Sequence, residues 1–133
     1  MTHGDAHTGN YFFDYNGPND YDVTVIDWDN AAKGWYIVDI GTVTWTANMS
    51  LFLNGVADRQ THLDNFETWV LEAYNAEGWT ETHAELEQGC RWRKEFMRTL
   101  VEFCVVAEPK TSEDYWSCKA YVDMSDAGLI PTC

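Results

Sequence analysis

Five consecutive turn-forming residues, Asn16-Gly17-Pro18-Asn19-Asp20, dictate how the first part of this chain can fold. Glycine reaches backbone angles closed to other residues, proline presets its own φ, and asparagine and aspartate bond their own backbone. The segment Tyr11-Phe12-Phe13-Asp14 precedes this turn, and Asp22-Val23-Thr24-Val25-Ile26-Asp27-Trp28 follows it. Both are rich in β-branched and aromatic residues, which suit a pleated surface. Together they predict a β-hairpin with a loop longer than the tightest type. Two strands alone make a marginal sheet, so this hairpin needs other elements to pack on.

Everything downstream carries helical spacing. Ile40, Thr44, Ala47 and Leu51 mark a first helix that stops at Gly55. Leu63, Phe66, Val70 and Ala73 mark a second, with Gly78 as its C-terminal cap. Thr82 and Glu85 form a capping box for a longer helix. Its apolar stripe is read as Leu86, Cys90, Trp92, Phe96, Leu100 and Cys104, and Pro109 ends it. Ser112, followed by Glu113 and Asp114, caps a last short helix that fades near Gly128. The predicted class is α+β and mainly helical: one short hairpin packed on about four helices, in a single domain spanning residues 1–133.

Hydrophobic residues make up 45% of the 133, enough for a core. Acidic residues number 22 against 8 basic ones, a formal charge of −14. Such a surface repels nucleic acid and anionic lipid, and no apolar run reaches the roughly 20 residues that span a bilayer. Neither nucleic acid nor membrane is therefore an expected partner. Cys90, Cys104, Cys118 and Cys133 are widely spaced with no C-x-x-C pair, which argues against a zinc knuckle. Cys90 and Cys104 read as small core residues, and a reduced, cytoplasmic setting is the default expectation. Trp35, Trp45, Trp69 and Trp92 read as core aromatics, His62 and His83 as surface residues, and Arg91, Arg93, Lys94 and Arg98 as a solvated basic face.

The chemistry concentrates in His3-Gly4-Asp5-Ala6-His7-Thr8-Gly9-Asn10. Asp5 and Asn10 stand five positions apart, the interval between the catalytic Asp and the metal-binding Asn of protein kinases. A compact loop of that length can offer a carboxylate to an attacking hydroxyl at one end. At the other it returns an amide oxygen to a metal that holds phosphates. A third, acidic element should close a nearby strand, and Asp27 fits. On extended backbone Asp29 would face the same side as Asp27, so both could meet one Mg²⁺, which prefers hard oxygen ligands.

The string His3-Gly4-Asp5-x-His7-x-x-Asn10, then a strand, a turn and Ile26-Asp27-Trp28, resembles the aminoglycoside phosphotransferase and choline kinase-like family, of protein-kinase-like fold. Gly34-Trp35-Tyr36-Ile37-Val38-Asp39-Ile40 extends the likeness, which runs well to about residue 51. The resemblance implies a small-molecule kinase that moves the γ-phosphate of ATP, with Mg²⁺, to a hydroxyl of a small metabolite, cationic ones included, or an aminoglycoside. It implies Asp5 as the catalytic base. Asn10, Asp27 and Asp29 become metal ligands. Asp39 braces the loop, and His3 and His7 are structural members of it.

Such kinases also need a glycine-containing loop, a Lys and an acidic partner over the phosphates. All belong upstream of the catalytic loop, where only Met1 and Thr2 stand. The expectation is a kinase C-terminal lobe without its N-terminal lobe, with its exposed N-lobe-facing surface prone to self-association. The alternative is a catalytically inactive kinase-like remnant that acts as a binding module. A metal-dependent phosphoesterase would need further His and Asp ligands, and only His62 and His83 remain downstream.

Overall fold

The turn chemistry yields the expected hairpin. The computed structural model describes residues 1–18 and 20–133, so Asn19 of the expected turn lies outside the described residues. Strand β1 (Tyr11–Gly17) pairs antiparallel with β2 (Asp20–Val25), with Tyr11 opposite Val25 and Tyr15 opposite Tyr21. The pairing is irregular between Tyr15 and Gly17, next to the turn. Strand β2 ends earlier than its composition suggested: Asp27 takes a left-handed backbone, and Trp28–Asn30 form a single 3₁₀ turn.

Four helices follow: α1 (Ile37–Leu53), α2 (Arg59–Ala76), α3 (His83–Ala107) and α4 (Glu113–Asp126). Their ends follow local chemistry. Thr82 and Glu85 form the reciprocal capping box of α3, and the Ser112 hydroxyl accepts from the Tyr115 amide to cap α4. The overall class is thus α+β and mainly helical, with a two-stranded sheet. No helix among the described residues is long and apolar enough to cross a membrane.

Helix α1 is the central element. It buries Ile37 and Ile40 against Leu71 of α2 and Leu86 of α3. Further along it buries Trp45 and Met49 against Cys90 and Ile130. Helices α1 and α3 cross at two glycines. A Cβ on Gly41 would fall 2.5 Å from the Gly89 Cα and 2.6 Å from the Cys90 nitrogen. The tail is drawn onto the same pair of helices. The Trp45 indole donates to the Pro131 carbonyl at 3.1 Å, and Lys94 Nζ to the Ile130 carbonyl at 2.8 Å.

Several expectations are corrected. The cysteines are not separate thiols: Cys90 pairs with Cys133, and Cys104 with Cys118. They therefore carry no argument for a reducing compartment. Of the tryptophans read as core, Trp45 is buried, whereas Trp35, Trp69 and Trp92 are exposed. The buried face of α3 is Leu86, Gly89, Cys90 and Arg93, and Trp92, Phe96 and Leu100 of the expected stripe face outward. One residue turns a helix by about 100°, and the glycine crossing selects the face that carries Gly89. The basic residues do not form one solvated face either, because Arg93 is buried and Lys94 ties down the tail. The hairpin leans over the helices rather than packing tightly. An apolar cavity of about 630 Å³ separates Phe13 and Val23 from Val43, Phe66 and Val70.

The glycine crossing makes a prediction of sign. Alanine normally favours a helix over glycine by about 1 kcal/mol. At Gly89 the added Cβ meets the Ile37 carbonyl and lies 3.1 Å from the Gly41 Cα, so backbone must move. Gly89→Ala is therefore expected to destabilise the chain by about 1–3 kcal/mol in denaturant unfolding. A stabilised variant would show that the helices do not meet there.

Candidate active site

The loop between Thr2 and Asn10 is held at both ends by the backbone of a single residue. Ile26 donates its N–H to the Asn10 carbonyl at 3.1 Å. Its own carbonyl accepts from His3 Nε2 at 2.7 Å. The first contact continues the β1–β2 register by one step, so the loop is an extension of the hairpin. Asp27 follows directly in the chain, exposed and with no side-chain hydrogen bond to the loop among the described residues. Thr2 is tied down as well, through backbone bonds in both directions with Ala32 at 2.9 and 3.2 Å. Thr2 is thus buried against the segment that leaves the 3₁₀ turn.

His3 is buried, and both its ring nitrogens are engaged. Donation to a carbonyl places the proton on Nε2, which leaves Nδ1 to accept from the Asp5 amide at 3.3 Å. Its ring lies 4.6 Å from that of Trp28. His7 caps the 3₁₀ turn at Thr8–Asn10 by accepting from the Gly9 amide at 3.0 Å, and its Nε2 stands 3.9 Å from Asp5 Oδ2. Gly4 has φ +82°, and a Cβ there would run into the Asn30 carbonyl, so the sharp step between His3 and Asp5 requires glycine.

Asp39, in the first turn of α1, accepts from the His3 amide at 2.6 Å and from the Gly4 amide at 2.9 Å. One carboxylate thus satisfies two successive backbone donors at the point where the chain turns. Two half-buried phenols stand near it. Burial raises the pKa of Tyr11 and of Tyr74, and the charge of Asp39 adds to the shift in both. At neutral pH both are hydrogen-bond donors rather than bases.

Asp5 is partly exposed and faces a cleft of about 590 Å³ lined also by Asn30, Phe96, Met97 and Leu100. Arg93 of α3 donates from Nη2 to its Oδ1 at 2.9 Å. Sequence reasoning missed this partner. The signal was present, because Leu86, Cys90, Arg93 and Met97 recur at i, i+4, i+7 and i+11, which places Arg93 among buried positions. Asn10 is buried. Its amide nitrogen donates to the Asp5 carbonyl at 3.0 Å, which leaves its side-chain oxygen without a protein partner among the described residues.

Asp27 is exposed and sits at φ 62°, ψ 57°. That region costs a non-glycine residue about 1–2 kcal/mol, though aspartate tolerates it better than most. Strain of this kind collects at functional sites. It also overturns the argument that paired Asp29 with Asp27. The backbone there is not extended, and Asp29 is exposed within the 3₁₀ turn. Among the described residues no three His, Cys, Asp or Glu side chains form a group able to hold a metal ion. The donors present, an amide oxygen and one or two carboxylates, fit Mg²⁺. That ion usually keeps several waters and takes its remaining ligands from phosphates.

The Asp39 arrangement can be tested directly. Asp39→Ala leaves two amides without their acceptor, at about 1–3 kcal/mol for each that stays buried. The His3 and Gly4 amides should then exchange hydrogen with solvent much faster, as read by NMR, while those within α3 keep their protection. Unchanged exchange at His3 and Gly4 would show that Asp39 does not hold the loop.

A family model described as the phosphotransferase enzyme family matches residues 1–76, more than half of the chain. No curated protein and no solved structure matches. The matched span contains the whole of the loop, the hairpin, Asp27, Asp39 and helices α1 and α2, and the chain belongs to the phosphotransferase enzyme family.

Proposed function

We propose that this chain holds the base and metal side of an ATP-dependent phosphotransferase that acts on a hydroxyl of a small metabolite, and that its fold corresponds to the C-terminal lobe of a kinase-like enzyme. The observation that carries this reading is the clasp at Ile26. One residue's backbone ties down His3 and Asn10, on either side of Asp5, and leads directly in sequence to Asp27. Phosphoryl transfer asks little covalent chemistry of a protein and depends on positioning and charge neutralisation. A loop held at both ends suits that demand.

In this assignment Asp5 accepts a hydrogen bond from the acceptor hydroxyl and orients it toward the phosphate. Asn10 and Asp27 hold Mg²⁺, and Asp29 is a further carboxylate within the same turn. When bound, Mg²⁺ offsets the negative charge of the phosphates. Asp39 and His3 keep the loop in place without touching the substrate. None of the four lysines, Lys33, Lys94, Lys110 and Lys119, follows a glycine-rich strand. We therefore assign the grip on the nucleotide to residues outside these 133. Exposed Phe12, Phe13, Tyr15, Tyr21 and Val23 support the reading that the hairpin meets another protein surface. In the isolated chain that surface would be a second copy.

Two substitutions separate the roles, tested in the form of the protein that transfers phosphate. Asp27→Ala should abolish Mg²⁺-dependent turnover. Asp5→Ala should lower kcat by at least about 100-fold while ATP affinity stays near that of the parent, as measured by calorimetry. Equal loss of ATP affinity in both variants would sink the division of labour. The isolated 133 residues should show no transfer at ordinary enzyme rates to a panel of amines, amino alcohols and aminoglycosides.

A further inference from the structure

We propose that Arg93 is the positioning residue for Asp5, holding one carboxylate oxygen so that the other is presented to the acceptor hydroxyl; this rests on the phosphotransfer reading above. Arg93 is only 8% exposed, and its charge lies where an unpaired cation is costly. Its hydrogen bond goes from Nη2 to Asp5 Oδ1 at 2.9 Å. Its Nε is buried with no partner. Among the described residues, Asp5 is thus the one counter-charge that offsets the burial of Arg93. The guanidinium also stands 5.4 Å from the centre of the Phe96 ring, a cation–π distance that restricts its orientation.

The consequence for Asp5 is an asymmetry between its two oxygens. Oδ1 is committed to Arg93, and among the described residues the one charged group near Oδ2 is His7, at 3.9 Å. Asp5 and Arg93 both line the cleft with Phe96 and Met97, so an acceptor entering there meets Oδ2 as the available oxygen. In the transfer, the acceptor oxygen bonds to the γ-phosphorus of ATP. The bond from that phosphorus to the bridging oxygen breaks, and its electron pair leaves with ADP. The hydroxyl proton passes to Asp5 Oδ2 and then to solvent. Arg93 stays protonated throughout and acts only through Asp5.

The test is a double-mutant cycle of Arg93→Met and Asp5→Ala, with Arg93→Lys as the conservative variant. In the phosphate-transferring form, Arg93→Met should lower kcat by about 100-fold, the scale of a small misplacement of a reacting group. KM for ATP should stay within about twofold of the parent, and Arg93→Lys should recover part of the loss. On an Asp5→Ala background, Arg93→Met should cost nothing further, because residues that act as a unit are non-additive. Multiplying effects, or a fully active Arg93→Met, would overturn the proposal. The same cycle read by thermal unfolding of the 133-residue chain needs no activity, and non-additive shifts in Tm are expected. Additive shifts would show that the pair is not formed and also overturn it. A parent that transfers phosphate with an additive kcat cycle defeats the role of Arg93 alone. A parent that transfers to no acceptor, while the Tm cycle stays coupled, defeats the phosphotransfer reading and the catalytic role of Arg93 with it.

Discussion

The close approach of α1 and α3 at Gly41 and Gly89 governs most of the rest. Packed helix axes ordinarily sit 8–10 Å apart, at a distance set by the side chains between them. Here both helices present glycine at the crossing, and each backbone lies against the other. The residues that hold the Asp5 loop are measured from this point. Asp39 stands two residues before Gly41, and Arg93 four residues after Gly89. One reaches the loop from α1 and the other from α3. A wider crossing would carry the two arms apart, and the loop between Thr2 and Asn10 could not meet both. The glycine crossing and the placing of the Asp5 loop are thus one geometric problem.

The hairpin contributes through its base, not its tip. Most of its residues are exposed on both faces, and a two-stranded sheet earns little stability alone. Its register matters because Ile26 extends it by one step and meets the loop with both backbone groups. Beyond Ile26 the chain leaves the sheet abruptly, through the left-handed Asp27. A strained residue at that junction is tolerated because its neighbours are fixed: Ile26 by two hydrogen bonds, and the Trp28 ring against His3.

What the sequence disclosed about this fold was local. The capping box at Thr82 and Glu85, the Ser112 cap and the antiparallel pairing of β1 with β2 are each decided by residues a few positions apart. They stand in the structure as the sequence implies. The Asp5–Asn10 interval was legible for the same reason. Relations between distant segments were not. Which face of α3 turns inward depends on Gly41, 48 positions before Gly89. A four-residue spacing could not choose between the face with Trp92 and the face with Arg93. The pairing of Cys90 with Cys133 spans 43 positions and links a helix to the tail, so widely spaced cysteines read as separate. The Asp29 argument failed at a single residue: left-handed geometry at Asp27 breaks the alternation on which it relied.

The tail strap has a topological consequence. Cys133 is bonded to Cys90, and Asp5 is bonded to Arg93, less than one helical turn further along α3. Asp5 and Cys133, far apart in sequence, are therefore moored to neighbouring positions on one helix, one by a hydrogen bond and the other by a disulfide. Reducing the Cys90–Cys133 disulfide would therefore loosen the tail on the same stretch of α3 that holds Asp5.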